Sequence, residues 1–159
     1  MPFKLFRIDE RLIHGQVIVG WGNRLGLQFY VIVDEVLAAS DWEQEIWASA
    51  LGGEATAEFL PALETARRFA ELEARPGRGA LLTRDTATMR ALAECGCLDG
   101  RAVNVGGLHD GPGRRKVLDY LHLSRDEFED LKAIGRHGVV SARDVPTARE
   151  VPLRDLEPR

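Results

Sequence analysis

Short runs rich in Val, Ile, Leu and Phe alternate along this chain with stretches whose apolar residues fall at helical spacing, and that alternation admits few folds. A strand, a helix and another strand bury all their apolar faces only if the helices pack on a mainly parallel sheet. The expected fold is therefore a three-layer α/β/α domain with an open, mainly parallel sheet of about seven strands. Strands are expected over Phe3–Ile8, Phe29–Val33, Ala55–Phe59, Ala80–Thr83 and Arg101–Val105, then around Val117–Leu121, and finally over Gly138–Val145.

The helices carry their own signals. Val17, Ile18, Trp21 and Leu25 lie on one helical stripe. Ser40-Asp41-Trp42-Glu43 has capping-box spacing and opens a helix expected to carry Trp42, Ile46, Trp47 and Ala50 toward Leu51; Ser124-Arg125-Asp126-Glu127 repeats the signal before a helix ending at Gly135. Pro61 suits the first turn of a helix running to about Glu73, and Asp85 suits an N-cap. Beyond Pro146 no period persists, so the tail from about residue 147 is expected to be loose.

The stretch Arg7-Ile8-Asp9-Glu10-Arg11-Leu12-Ile13-His14-Gly15-Gln16-Val17 joins the first strand to the first helix. In an open α/β sheet, ligands bind outside the carboxyl ends of the strands, and the loop after strand one is a frequent place for it. A helix start offers free N–H groups and the positive end of a dipole; with Arg11 and an imidazole beside it, the chemistry suggested is that of a phosphoryl group rather than a metal. His14 supplies a neutral nitrogen nucleophile and Arg11 a forked donor. Asp9 either orients the imidazole or serves local turn bonds, with the turn role favoured, and Gly15 would let the backbone approach a phosphate closely. Arg7 reaches the site or covers an edge. The loop after the Arg101–Val105 strand should share the same edge, bringing Asn104, Gly106, Gly107 and His109 toward His14; its glycines match no nucleotide fingerprint.

Composition removes several classes. A net charge of -4 argues against a general nucleic-acid binder, and no apolar run reaches the roughly 18 to 20 residues that span a bilayer, so a cytoplasmic protein is expected. Cys95 and Cys97 are too few for a zinc site and are read as reduced thiols. At 159 residues the chain fits one domain over 1–159.

Two strings carry a family resemblance. Arg7 to Val17, as quoted, resembles the hallmark of the IIB subunit of the mannose/fructose/sorbose class of sugar phosphotransferase systems, and Asn104-Val105-Gly106-Gly107-Leu108-His109 followed by Gly113-Arg114 resembles a second block of the same family. The resemblance implies a phosphocarrier. His14 would take a phosphoryl group from a phosphorylated IIA partner and pass it to a sugar taken up through membrane IIC and IID subunits, which would hold the protein peripherally at the membrane. Arg11 would assist catalysis; Asp9, Gly15, Arg7, Asn104, Gly106 and Gly107 would bind phosphate. No metal or organic cofactor is implied, and a homo-oligomer is left open. The chain departs from the family at Asp34-Glu35-Val36-Leu37-Ala38, where an Asp-Asp or Asn-Asp pair is usual, and it lacks a Pro between Leu51 and Thr56. A regulatory phosphorelay subunit and a non-phosphorylated anion-binding module remain as alternatives.

Overall fold

The structure is a computed structural model describing all of residues 1–159. Seven strands form one sheet in the order β3-β2-β4-β1-β5-β8-β9, and a separate hairpin joins β6 to β7. Strand β1 (Phe3–Ile8) lies centrally, parallel to β4 (Gly79–Thr83) on one side and to β5 (Ala102–Val105) on the other. Strands β2 (Phe29–Val33) and β3 (Thr56–Leu60) extend the sheet beyond β4, and β8 (Val139–Ala142) extends it beyond β5. Every residue of β2 and β4 is buried, as continuous apolar runs in a parallel sheet require.

Alternation along β1 divides the core. Phe3, Phe6 and Ile8 face a large cluster with Met89 and Leu92 of α6 (Thr86–Glu94) and Phe128, Leu131 and Ile134 of α7 (Arg125–Ile134). Leu5 faces a smaller cluster with Val17 and Trp21 of α1 and Leu37 of α2 (Glu35–Ala38). Connections from β1 and β2 thus run over one face, and those from β3, β4 and β5 over the other. The chain reverses direction around β1, which makes the carboxyl end of β1 a switch point.

Several local expectations change. Helix α1 begins as a π-helix over Gln16–Gly22 and becomes α over Asn23–Leu25, although its apolar stripe looks regular. The helix expected from Pro61 breaks at Arg68 into α4 (Ala62–Arg67) and α5 (Phe69–Glu73). Ser40 precedes α3 (Asp41–Ser49) but makes no side-chain cap bond, and α3 buries none of its residues; Trp42 is 65% and Ile46 60% exposed. Spacing set the helix but not which face meets the core. By contrast the box at Ser124 closes fully, with the Ser124 hydroxyl on Glu127 N–H and the Glu127 carboxylate on Ser124 N–H. The single sixth strand is instead the antiparallel hairpin of β6 (Arg115–Leu118) and β7 (Leu121–Leu123).

The tail is not loose. After β8 the chain turns and returns antiparallel as β9 (Val151–Pro152), then makes a 3₁₀ turn over Leu153–Asp155 that delivers Leu156, fully buried, into the larger core cluster. Two well-placed apolar side chains and one short edge pairing order this segment without any helical or strand period.

Candidate functional site

The loop after β1 folds back on itself. Leu12 N–H donates to Asp9 C=O at 2.9 Å, and Leu12 itself sits at φ 51°, a conformation that costs an L-residue about 1–2 kcal/mol. Burial of Leu12 and Ile13 in the core offsets that cost. The turn they fix presents His14 immediately before the uncapped start of α1, with the His14 side chain 17% exposed.

Beneath the imidazole lies a buried carboxylate. Six donors converge on Asp9: Arg11 N–H and Arg11 Nε on Oδ1, and Arg7 Nη2, Arg11 Nη2, Gly107 N–H and His14 Nε2 on Oδ2. A carboxylate offers about four lone-pair sites, so Asp9 is more than saturated. Burial alone would push the Asp9 carboxyl up, but the hydrogen bonds from His14 and Arg11, the charge of Arg7 and the Gly107 N–H outweigh it and hold the group well below the ordinary carboxylate range. Asp9 thus serves the local turn and touches the imidazole together.

These contacts settle the tautomer. Ionised Asp9 can only accept, so His14 Nε2 carries its hydrogen and donates to Asp9 Oδ2 at 3.3 Å. Gln16 N–H can only donate, so Nδ1 at 3.3 Å from it holds the lone pair. The ring nitrogen that holds the lone pair therefore faces the start of α1.

The arginines divide the work differently from the sequence expectation. Arg7 is fully buried; Nη1 donates to the Asn104 side chain and to Arg143 C=O at 2.8 Å, while Nη2 donates to Asp9 at 2.9 Å and Asp144 C=O at 3.0 Å. Its Nη donors are spent, its Nε is buried without a partner, and the side chain does not reach the surface. Burial lowers the Arg7 pKa, opposed mainly by Asp9. Arg11 is 30% exposed and grips Asp9 with Nε at 3.0 Å and Nη2 at 2.9 Å, so its paired donors hold the carboxylate and Nη1 alone is uncommitted. Those bonds raise the Arg11 pKa, with burial opposing.

The glycine pair has a reason other than cradling phosphate. A Cβ on Gly106 would strike the Arg7 guanidinium and stand 2.6 Å from Asp9 Oδ2; one on Gly107 would stand 2.9 Å from Arg11 Nη2. Only bare backbone leaves room for two guanidinium groups stacked over one carboxylate. The Asn104 amide accepts from Arg7 and donates to Arg143 C=O at 3.3 Å. Asp9, Arg7, Asn104, Gly106 and Gly107 are thus brought together as a layer under His14, whereas Gly15 stands beside it with open space around its Cα.

His109 is not brought to His14. It is largely exposed and its ring pairs with Glu10, whose carboxylate also takes Arg114 Nη1 at 3.3 Å, while Arg114 makes a two-pronged bond to Glu127. Arg114 is thus committed to two carboxylates. Sequence reasoning missed Trp21, Arg143 and Asp144. Trp21 lies 5.3 Å from the Arg7 guanidinium and donates from Nε1 to Asp144 C=O at 3.1 Å. Arg143 and Asp144 act largely through backbone carbonyls, which no residue-type pattern reveals.

Fold and site together define a class: an open, doubly wound α/β domain that presents one histidine at its switch point over a buried carboxylate. Known proteins narrow it. The PTS system sorbose subfamily IIB component family matches residues 3–157, and the chain belongs to that family. The N-acetylgalactosamine-specific phosphotransferase enzyme IIB component 1 of Escherichia coli (strain K12) is 30% identical over 152 residues, covering 95% of this chain and 96% of that protein. The crystal structure of that Escherichia coli component superposes with a TM-score of 0.82 at 32% identity over 94% of this chain and 97% of the other. The mannose-specific EIIAB component of Escherichia coli (strain K12) is 26% identical over 98% of this chain, which spans only 48% of that longer protein. The IIBSor domain of the sorbose permease from Klebsiella pneumoniae, at 18% identity and a TM-score of 0.86 over 98% of this chain and 96% of that domain, shares the fold.

As a IIB component, the protein is a phosphotransferase subunit acting in sugar uptake, in a family that works with IIA and IIC/IID partners. No helix is long and apolar enough to cross a membrane.

Proposed function

We propose that His14 is the phosphoryl carrier and that Nδ1 forms the bond to phosphorus. The observation that carries this reading is the pair of contacts on the ring: Asp9 holds Nε2–H, and Nδ1 keeps its lone pair toward the helix start. In the forward step the Nδ1 lone pair attacks phosphorus as the P–N bond of a phosphorylated IIA partner breaks. No proton leaves the ring. The imidazolium so formed keeps Nε2–H on Asp9, whose charge compensates it.

The oxygens of the phosphoryl group fall to Arg11 Nη1 and to the open backbone around Gly15 and Gln16. Asp9, Arg7, Asn104, Gly106 and Gly107 position the imidazole and leave phosphate contact to others. Because Nε2 stays protonated, phospho-His14 is a good donor; in-line attack by a sugar hydroxyl at a IIC/IID site breaks the P–Nδ1 bond, the hydroxyl proton leaves to solvent, and the ring returns to its starting tautomer.

Incubation with a phosphorylated IIA partner, read by intact mass, tests the assignment. Wild type and His109→Ala gain one acid-labile phosphoryl group and His14→Ala gains none; labelling of His14→Ala overturns the reading, and absence of labelling in wild type favours the anion-binding module.

A further inference from the structure

Arg11 stands between two carboxylates that hold it unequally. Asp9 takes its Nε and Nη2 at 3.0 and 2.9 Å, while Asp144, on the loop after β8, reaches Nη2 only at 3.5 Å. Asp144 is anchored independently of that contact, because its carbonyl accepts from Arg7 Nη2 and Trp21 Nε1. Its side chain is 25% exposed, and Arg11 is its sole ion-pair partner.

The charges at the site make this long contact meaningful. Arg7 and Arg11 bring two positive charges, and Asp9 and Asp144 two negative ones, so the cluster is balanced before any phosphoryl group arrives. Asp9 cannot be the adjustable partner, since it is buried and oversupplied with donors. Asp144 can. A phosphoryl group carrying nearly two negative charges would take Arg11 Nη1 while Asp144 stays on Nη2, so the two anions share one cation and repel each other across it.

We infer that Asp144 is a positioning residue which, through Arg11, sets how tightly the site retains a phosphoryl group, keeping phospho-His14 a ready donor. The inference rests on His14 being the carrier. A carrier must release what it accepts, and a site with net positive charge would hold the dianion too well. Asp144 cancels that excess without touching the imidazole.

The test is an equilibrium. Phosphoramidate phosphorylates the imidazole with departure of ammonia: its P–N bond breaks, the P–Nδ1 bond forms, and the proton count on both nitrogens balances. Ammonia, supplied by added ammonium at fixed pH, attacks phosphorus and reverses the exchange, so the ratio of phosphorylated to free protein, read by intact mass at fixed phosphoramidate, ammonium and pH, measures retention. Asp144→Asn should raise that ratio about three- to tenfold, as expected for loss of one nearby charge at a partly exposed site. Asp144→Glu, which keeps the charge, should stay within about twofold of wild type. Both variants keep the anchoring carbonyl, and thermal melting confirms folding. An unchanged ratio in Asp144→Asn, or equal changes in both variants, overturns the inference and leaves Asp144 structural. His14→Ala run alongside separates the two claims: retained labelling there defeats the carrier assignment and this inference with it, whereas clean loss there beside an unmoved Asp144→Asn defeats the inference alone.

Discussion

Replacing Asp9 with Asn preserves shape and removes one charge from beneath His14. The consequence follows from what surrounds it. Arg7 has no solvent exposure and would remain as a buried cation without its counter-ion, and the new amide NH2 would confront donors from Arg11, Gly107 or His14. Breaking one side of a buried pair costs about 3–5 kcal/mol. For a chain of this length each kcal/mol lowers the melting temperature by about 2–4 °C, so a fall of about 10 °C is expected at pH 7.

The pH dependence gives a second, independent reading. Because the folded-state pKa of Asp9 is depressed, the stability it contributes is present above the unfolded carboxylate value of about 3.9 and is lost as pH falls through the folded one. The gap between wild type and Asp9→Asn should therefore be widest near neutrality and shrink below about pH 4. Urea denaturation of both proteins between pH 7 and pH 3 measures it. A gap under about 1 kcal/mol, or one that does not narrow in acid, would refute the view that Asp9 is an ionised buried hub.

Three further expectations follow from particular contacts. Gly106→Ala should cost at least about 2 kcal/mol because its methyl meets an immovable guanidinium, whereas Gly15→Ala, with nothing near its Cα, should stay within about 1 kcal/mol; chemical denaturation of both compares them. Leu156→Ala should destabilise by about 2–5 kcal/mol in the same assay, and a neutral result would return the tail to a loose surface segment. At pH 8 a disulfide-exchange reagent should titrate Cys95 and leave Cys97 unreacted until the fold is denatured, since Cys97 is buried and its thiol is pushed up to about 11 by burial first.

What was legible in the sequence follows physical lines. β1, β2 and the Ser124 cap were readable because each is decided locally, by a continuous apolar run or by residues three apart. Helix α3 was readable as a helix but not as an exposed one, because periodicity names a stripe and only tertiary packing decides whether anything covers it. The return of β9 and the docking of Leu156 depend on partners far from them in the core and in β8, and they leave no period to detect.

The loop after β1 shows the same limit. His14, Arg11 and Asp9 stood out by type and position. Their division of labour did not, since Arg7 is committed to carbonyls of Arg143 and Asp144 more than a hundred residues away. The Gly106-Gly107 pair was visible as a motif, yet its purpose emerges only when two guanidinium groups are seen against it.

The most direct test of the account is the protonation and phosphorylation of the two His14 ring nitrogens, observed by long-range ¹H–¹⁵N NMR on ¹⁵N-histidine-labelled protein before and after treatment with phosphoramidate. His14 should start as the Nε2–H tautomer, phosphorus should couple to Nδ1 alone, and Asp9→Asn should weaken the Nε2–H preference. A starting Nδ1–H tautomer, or phosphorus on Nε2 or on the ring of His109, His122 or His137, would contradict the account.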